Sequence, residues 1–141
     1  MKITSVGCLI TNGEQYLACH STGNAFYDLP KGTQEEDETP IEACLRELRE
    51  ETGLVAPPHK LKDLGIFSYI KYKKDLHIFL WRTVELPNLQ ELYCSSYFRH
   101  PKSNKELPEV DGYRFVSFED ADQYMSKSMA KVIHEIRKNH L

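Results

Sequence analysis

Between Gly32 and Leu54 the chain reads GTQEEDETPIEACLRELREETGL, and no other stretch limits the possible folds so tightly. Thr39-Pro40 announces a helix. Threonine caps, proline suits a first helical position whose N–H has no intrahelical partner, and Glu42 stands three residues after the cap to close a capping box. Gly53 takes the left-handed conformation that ends a helix, so the pattern predicts a helix from Pro40 to about Thr52. Ile41, Cys44, Leu45 and Leu48 recur at i, i+3, i+4 and i+7 and form one apolar face that packs against a sheet. Almost every other position on the helix is charged.

The flanking segments supply that sheet. Ile3 to Thr11 is β-branched and apolar, Asn12-Gly13 provides turn chemistry, and Gln15 to His20 alternates, which predicts a hairpin. Ala25 to Leu29 is extended up to Pro30, because a residue before proline is pushed out of the helical region. Beyond the helix, Leu61 to Tyr72 and Leu76 to Leu86 read as strands joined around Lys73-Lys74-Asp75 and pair antiparallel. Residues 87–108 have no clean period and form the longest irregular segment. Tyr113 to Phe118 is a last strand, followed by helices over 119–124 and 128–138. Strands interleaved with one central helix and a helical C-terminus give an α/β layered fold, one domain over residues 1–141.

Composition narrows the chemistry. A net charge of −3 with 28% charged residues advertises neither nucleic acid nor an anionic membrane, so a polyanionic substrate has to be handled locally. Cys8, Cys19, Cys44 and Cys94 contain no CxxC pair, which argues against zinc; three of them lie in apolar patterns as small buried thiols, and a reducing cytoplasm is the expected compartment. The N-terminal apolar run is too short for a signal segment, and no later run approaches a membrane span.

At about 100° per residue, Glu47 and Glu51 lie about 40° apart on the helix and Glu50 about 60° to the other side of Glu47, so all three share one sector bordering the apolar face, Glu51 nearest the core edge. Three carboxylates in one sector repel each other unless a cation sits between them. A hard divalent ion that prefers oxygen ligands, Mg²⁺ or Mn²⁺, meets that need. The alternative is a solvated acidic face paired with Arg46 and Arg49. Acidic residues near a helix C-terminus also oppose the macrodipole, so something should offset their placement.

Gly32, Glu38, Arg46-Glu47-Leu48, Glu50-Glu51 and Gly53-Leu54, at these spacings, resemble the signature of the Nudix hydrolases with every fixed position filled. The resemblance implies a mixed β-sheet sandwiched between α-helices. It implies that Glu47, Glu50 and Glu51 bind metal with the Gly32 carbonyl, while Glu38 and Arg46 brace the loop against the helix. It also implies Mg²⁺-dependent hydrolysis of a nucleoside diphosphate linked to another moiety, with Mn²⁺ able to substitute. The LPKG run that ends at Gly32 looks like the diadenosine and inositol polyphosphate branches, and Lys31 is a candidate phosphate contact or an ordinary turn lysine. PEVDGYRFVSF, from Pro108 to Phe118, is similar to a segment of RNA 5′-pyrophosphohydrolases and related dinucleoside polyphosphate hydrolases. By that likeness Glu109 is an additional metal ligand or general base, with Glu106 behind it. Among Tyr27, Tyr69, Tyr72 and Tyr113, which could stack on a nucleobase, Tyr113 is the substrate-binding candidate.

The expected substrate is a small nucleotide, diadenosine tetraphosphate before an RNA 5′ end or an oxidised nucleoside triphosphate, since the RNA-processing relatives usually carry glutamine where Lys31 stands. The reading from another class is a non-catalytic nucleotide-binding module.

Overall fold

The computed structural model describes residues 2–141. Nine strands and three helices follow in order: β1 (Ile3–Thr11), β2 (Gln15–Ser21), β3 (Tyr27–Asp28), β4 (Lys31–Thr33), α1 (Pro40–Thr52), β5 (Leu61–Ile70), β6 (Lys74–Arg82), β7 (Tyr97–Arg99), β8 (Glu106–Pro108), β9 (Val110–Ser117), α2 (Ala121–Tyr124) and α3 (Lys127–His140). No helix among the described residues is long and apolar enough to cross a membrane.

The Asn12-Gly13 turn forms as expected. Gly13 has φ 100°, and the Asn12 side chain accepts from the backbone N–H of Glu14 and of Gln15, both at 2.9 Å. The two strands it joins then part company. β1 and β2 share the Thr11–Tyr16 register, but along its whole length β1 pairs in parallel with β6, while β2 pairs antiparallel with β9. β4 takes up the free edge of β1 from Ser5 to Gly7. The sheet is therefore mixed, and it opens between β1 and β2.

Alternation along the central strands builds two cores, one on each face. Val6, Cys8 and Ile10 of β1 and Phe79 of β6 meet Ala43, Cys44 and Leu48 of α1. Leu9 of β1 with Leu76, Ile78 and Leu80 of β6 meet Met129, Ile133 and Ile136 of α3 on the opposite face. A mixed sheet with helices on both sides results, as expected. Cys8, Cys19 and Cys44 are buried free thiols.

Three details differ from the expectation. The β5–β6 turn lies at residues 71–73, with Tyr72 at φ 66°, and Lys74 and Asp75 belong to the strand. Within the segment over 87–108, β7 and β8 pair antiparallel; strands this short carry no readable period. The buried stripe of α1 is Ala43, Cys44, Glu47, Leu48, Glu51 and Thr52, so Ile41 and Leu45 are only half-buried. The helix is rotated toward its own glutamates.

Candidate active site

That rotation has a cause in the sheet. Where β2 leaves β1, the gap is filled by residues 30–34: Cys8 N–H donates to the Pro30 carbonyl at 3.0 Å and Gln34 N–H to the Thr4 carbonyl at 3.2 Å. β4 is thereby carried under α1, against its glutamate face. A Cβ added to Gly32 would lie 2.1 Å from the Glu47 carboxyl, so glycine here leaves that carboxyl room to lie against the loop backbone. The Lys31 backbone N–H donates to Glu51 Oε1 at 3.1 Å.

The helix is held at both ends. Thr39 and Glu42 make the capping box and Gly53, at φ 78°, closes the C-terminus. Tyr113 of β9 donates its hydroxyl to the Glu51 carbonyl at 2.5 Å, and Ser95 N–H donates to the Glu50 carbonyl at 2.7 Å. Two carbonyls of the last turn, which have no intrahelical donor, are satisfied in this way.

Arg46 ties loop to helix. Its Nε and Nη2 form a fork on Glu38, at 2.6 and 2.9 Å, and Nη2 also donates to the Thr33 carbonyl at 3.1 Å. Nη1 reaches Glu47 at 2.8 Å and Glu50 at 3.1 Å. These bonds, Glu38 foremost, raise the guanidinium pKa, so it is a permanent cation, and a planar fork of this kind is not reproduced by lysine.

A cavity of about 480 Å³ lies where these elements meet, and Lys31, Gly32, Arg46, Glu47, Glu51 and Glu109 are among its walls. Glu47 is 9% and Glu51 5% exposed. Burial pushes the Glu51 carboxyl up to about 8, against the Lys31 N–H bond, which lowers it. Burial likewise raises Glu47, against its bond from Arg46. Glu109 at the rim is raised by partial burial and by the Glu50 charge. Burial alone would lower the Lys31 ammonium, yet Asp28, Tyr69 and Glu51 hold it above its ordinary value. Its Nζ stands 3.5 Å from Asp28 Oδ2 and 5.6 Å from the centre of the Tyr69 ring.

Of the residues singled out from the sequence, Lys31, Gly32, Glu47, Glu51 and Glu109 share this cavity. Glu50 and Tyr113 do not line it. Glu50 is drawn to Arg46 and Tyr113 is turned to the backbone of Glu51. Asp28, the partner of Lys31, was not foreseen; the signal available was a carboxylate three residues before the lysine, on a segment that Pro30 keeps extended. His20 and His77 lie outside the cavity lining and pair with Asp111 and Asp63 respectively.

Carboxylate oxygens are hard donors, and a divalent cation would stabilise the ionised form of Glu47 and Glu51 that burial disfavours. Among the described residues no three His, Cys, Asp or Glu groups are gathered closely enough to hold an ion as they stand. Arg46 Nη1 takes the place of a cation between Glu47 and Glu50.

The model of the NUDIX domain matches residues 1–136. The chain belongs to the Nudix family. Among curated Nudix relatives, an RNA pyrophosphohydrolase of Marinomonas sp. (strain MWYL1) is 31% identical over 123 residues, covering 81% of this chain and 74% of the relative. The phosphatase NudJ of Escherichia coli (strain K12) is 41% identical over 56 residues, which span 38% of this chain and 37% of that protein. Among solved structures, a bifunctional NMN adenylyltransferase/ADP ribose pyrophosphatase from Francisella tularensis, complexed with AMP and a Mn ion, superposes with a TM-score of 0.73 at 18% identity. That match covers 98% of this chain and 42% of the longer one, and it establishes a shared fold. With a complete signature and hydrolases among its relatives, the protein is a Nudix pyrophosphohydrolase.

Proposed function

We propose that this Nudix enzyme cleaves a phosphoanhydride bond in a nucleotide whose 5′-diphosphate carries a further group, with Mg²⁺ as its cofactor and Mn²⁺ as a substitute. The observation that carries the reading is the burial of Glu47 and Glu51 against Gly32 in a cavity that also holds Lys31 and Glu109. Glu47, Glu50, Glu51 and the Gly32 carbonyl would hold the cation once Arg46 Nη1 yields its bonds to Glu47 and Glu50, and Glu109 is either a further ligand or the general base. When bound, a divalent cation neutralises diphosphate oxygens, acidifies water and stabilises the leaving phosphate.

The chain's own groups do the rest. Lys31, fixed by Asp28, presents a positioned positive charge to the polyphosphate. Where Glu109 is the base, its place at the rim of the cavity lets it accept the proton of the attacking water. The water oxygen bonds to phosphorus, the anhydride oxygen leaves with its electron pair, and two shorter phosphates result. Arg46 keeps the loop on the helix throughout, through its fork on Glu38. Tyr113, aimed at the Glu51 carbonyl, positions the last helical turn rather than stacking on a base.

For the substrate, a dinucleoside polyphosphate such as diadenosine tetraphosphate is supported by a second cavity that shares Ser21 and Glu109 with the first. An RNA 5′ end is the second reading, favoured by the relative named RNA pyrophosphohydrolase. Chromatography of the products decides between them. Diadenosine tetraphosphate, a 5′-triphosphorylated RNA, and normal and oxidised nucleoside triphosphates are each incubated with Mg²⁺, with Mn²⁺ and with chelator. Cation-dependent release of mononucleotides from diadenosine tetraphosphate is expected. Turnover of the RNA alone would select the second reading, and binding without turnover of any substrate would make the protein a nucleotide-binding module.

A further inference from the structure

Residues 97–105 carry Arg99, Lys102 and Lys105 and no acidic side chain, in a chain whose net charge is −3. They form β7 and the tip of the β7–β8 hairpin, in which Tyr97 pairs with Pro108, Phe98 with Leu107 and Arg99 with Glu106. The tip is shaped by its own bonds. His100 N–H donates to the Lys105 carbonyl and Asn104 N–H to the His100 carbonyl, both at 2.9 Å. His100 Nδ1 accepts from the N–H of Lys102 and of Ser103, each at 3.2 Å, and Arg99 Nη1 donates to the Asn104 carbonyl at 2.8 Å. The charges therefore stand on a folded support, which lowers the ordering cost of engaging an anion. Arg99 has Glu106 beside it at 3.7 Å. Lys102 and Lys105 are exposed and have no carboxylate partner among the described residues.

The hairpin is rooted at the glutamate helix. Ser95 N–H donates to the Glu50 carbonyl at 2.7 Å and Glu109 N–H to the Ser96 carbonyl at 3.0 Å. Phe98 borders a depression of about 400 Å³ that shares Ser21 and Glu109 with the glutamate cavity. An extended strand advances about 3.3 Å per residue, so β8 sets Lys105 within about 13 Å of Glu109. A polyanion that begins in the cavity and leaves past Glu109 meets the two free lysines next. A dinucleoside polyphosphate has no such continuation, because a nucleoside closes it at either end. An RNA made without a primer does: it begins with a 5′ polyphosphate and continues as phosphodiesters, each negatively charged.

We propose that the β7–β8 hairpin is a docking arm for the phosphodiester backbone of an RNA, with Lys102 and Lys105 as its contacts and the 5′ end of the strand in the glutamate cavity. The inference rests on the phosphoanhydride-cleaving reading of that cavity and adds a binding surface outside it. The lysines act on phosphate as point charges, so the arm is indifferent to base and sensitive to salt.

A 5′-monophosphorylated RNA has no anhydride to cleave, so its binding tests the arm apart from catalysis. Its dissociation constant is read by fluorescence anisotropy over a range of salt, with AMP as competitor, in the wild type and in two double variants. Lys102→Ala with Lys105→Ala is expected to weaken RNA binding by about tenfold at low salt and to flatten the logarithmic salt slope by about 1.4, the share of two phosphate contacts on a single strand. Lys102→Arg with Lys105→Arg is expected to stay within about twofold of wild type, and AMP affinity to hold in both, since AMP reaches no further than the cavity. RNA binding unchanged in the alanine variant, or an equal loss for AMP, would overturn the proposal. KM and kcat are then measured for a 5′-triphosphorylated RNA and for diadenosine tetraphosphate. The alanine variant is expected to raise KM for the RNA alone by about tenfold, with kcat held. A protein that hydrolyses the RNA with KM indifferent to both lysines keeps the activity and refutes the arm. One that binds the monophosphorylated RNA through the lysines and cleaves no anhydride keeps the arm and refutes the activity.

Discussion

Glu51 is 5% exposed and, with its carboxyl pushed up to about 8, it holds a proton in the metal-free fold that the unfolded chain has already released. Its folded pKa is above the unfolded value of 4.5. Metal-free stability therefore falls as pH rises from about 4.5 to about 8 and is flat beyond, by a few kcal/mol in order of magnitude. Glutamine keeps the shape and never ionises. With chelator present, Glu51→Gln is expected to resist urea better than the wild type, with the gap widening across that pH window. Excess Mg²⁺ should raise the wild-type midpoint and not that of the variant. A pH-independent gap in chelator would contradict the burial of a titrating carboxyl. Gly32 is the complementary case, because its substitution adds a methyl group 2.1 Å from the Glu47 carboxyl. Gly32→Ala is expected to fold and to lose about tenfold or more in Mn²⁺ affinity by calorimetry, as the displaced carboxylate can no longer share an ion with Glu51.

At the level of elements, α1 is the part most fully written in local sequence. Thr39, Pro40, Glu42 and Gly53 act within one turn of themselves, so the helix limits of Pro40 and Thr52 follow from residues that touch nothing distant. Gly53 has a further duty: at φ 78°, its added Cβ would lie 2.4 Å from the Tyr93 ring. Gly53→Ala is expected to cost about 1–3 kcal/mol in chemical denaturation, through both strain and collision. A loss below about 0.5 kcal/mol would contradict both the left-handed strain and the collision. The direction in which α1 faces was legible only in part, through the place of Glu51 at the edge of the apolar face. Ile41, Cys44, Leu45 and Leu48 mark one hydrophobic stripe, yet the buried face includes Glu47 and Glu51, because a cavity beneath the helix takes in polar groups that hydrophobicity alone assigns to solvent. The β7–β8 pair was equally hidden, its three-residue strands being too short for alternation.

Across the whole molecule, the site exists because β1 and β2 separate after Thr11 and Tyr16. That separation rests on parallel pairing of β1 with β6 and on pairing of β2 with β9, contacts between segments far apart in sequence. A hairpin signal at Asn12-Gly13 speaks only for the turn. The signature glutamates were legible as a group, whereas the cavity that gathers them with the half-buried Asp28–Lys31 pair and Glu109 appears only once distant strands meet. The central claim joins both levels: carboxylates carried by a locally encoded helix become a cation site because the split sheet delivers Gly32 and Lys31 beneath them. The most direct test is the rate of diadenosine tetraphosphate hydrolysis as Mg²⁺ is titrated into chelator-treated wild type and Glu51→Gln, with retained fold checked by circular dichroism. The account expects saturable activation of the wild type and a loss of about a thousandfold or more in the variant at every Mg²⁺ concentration. Activity that survives chelation, or a folded variant that turns over at the wild-type rate, would contradict it.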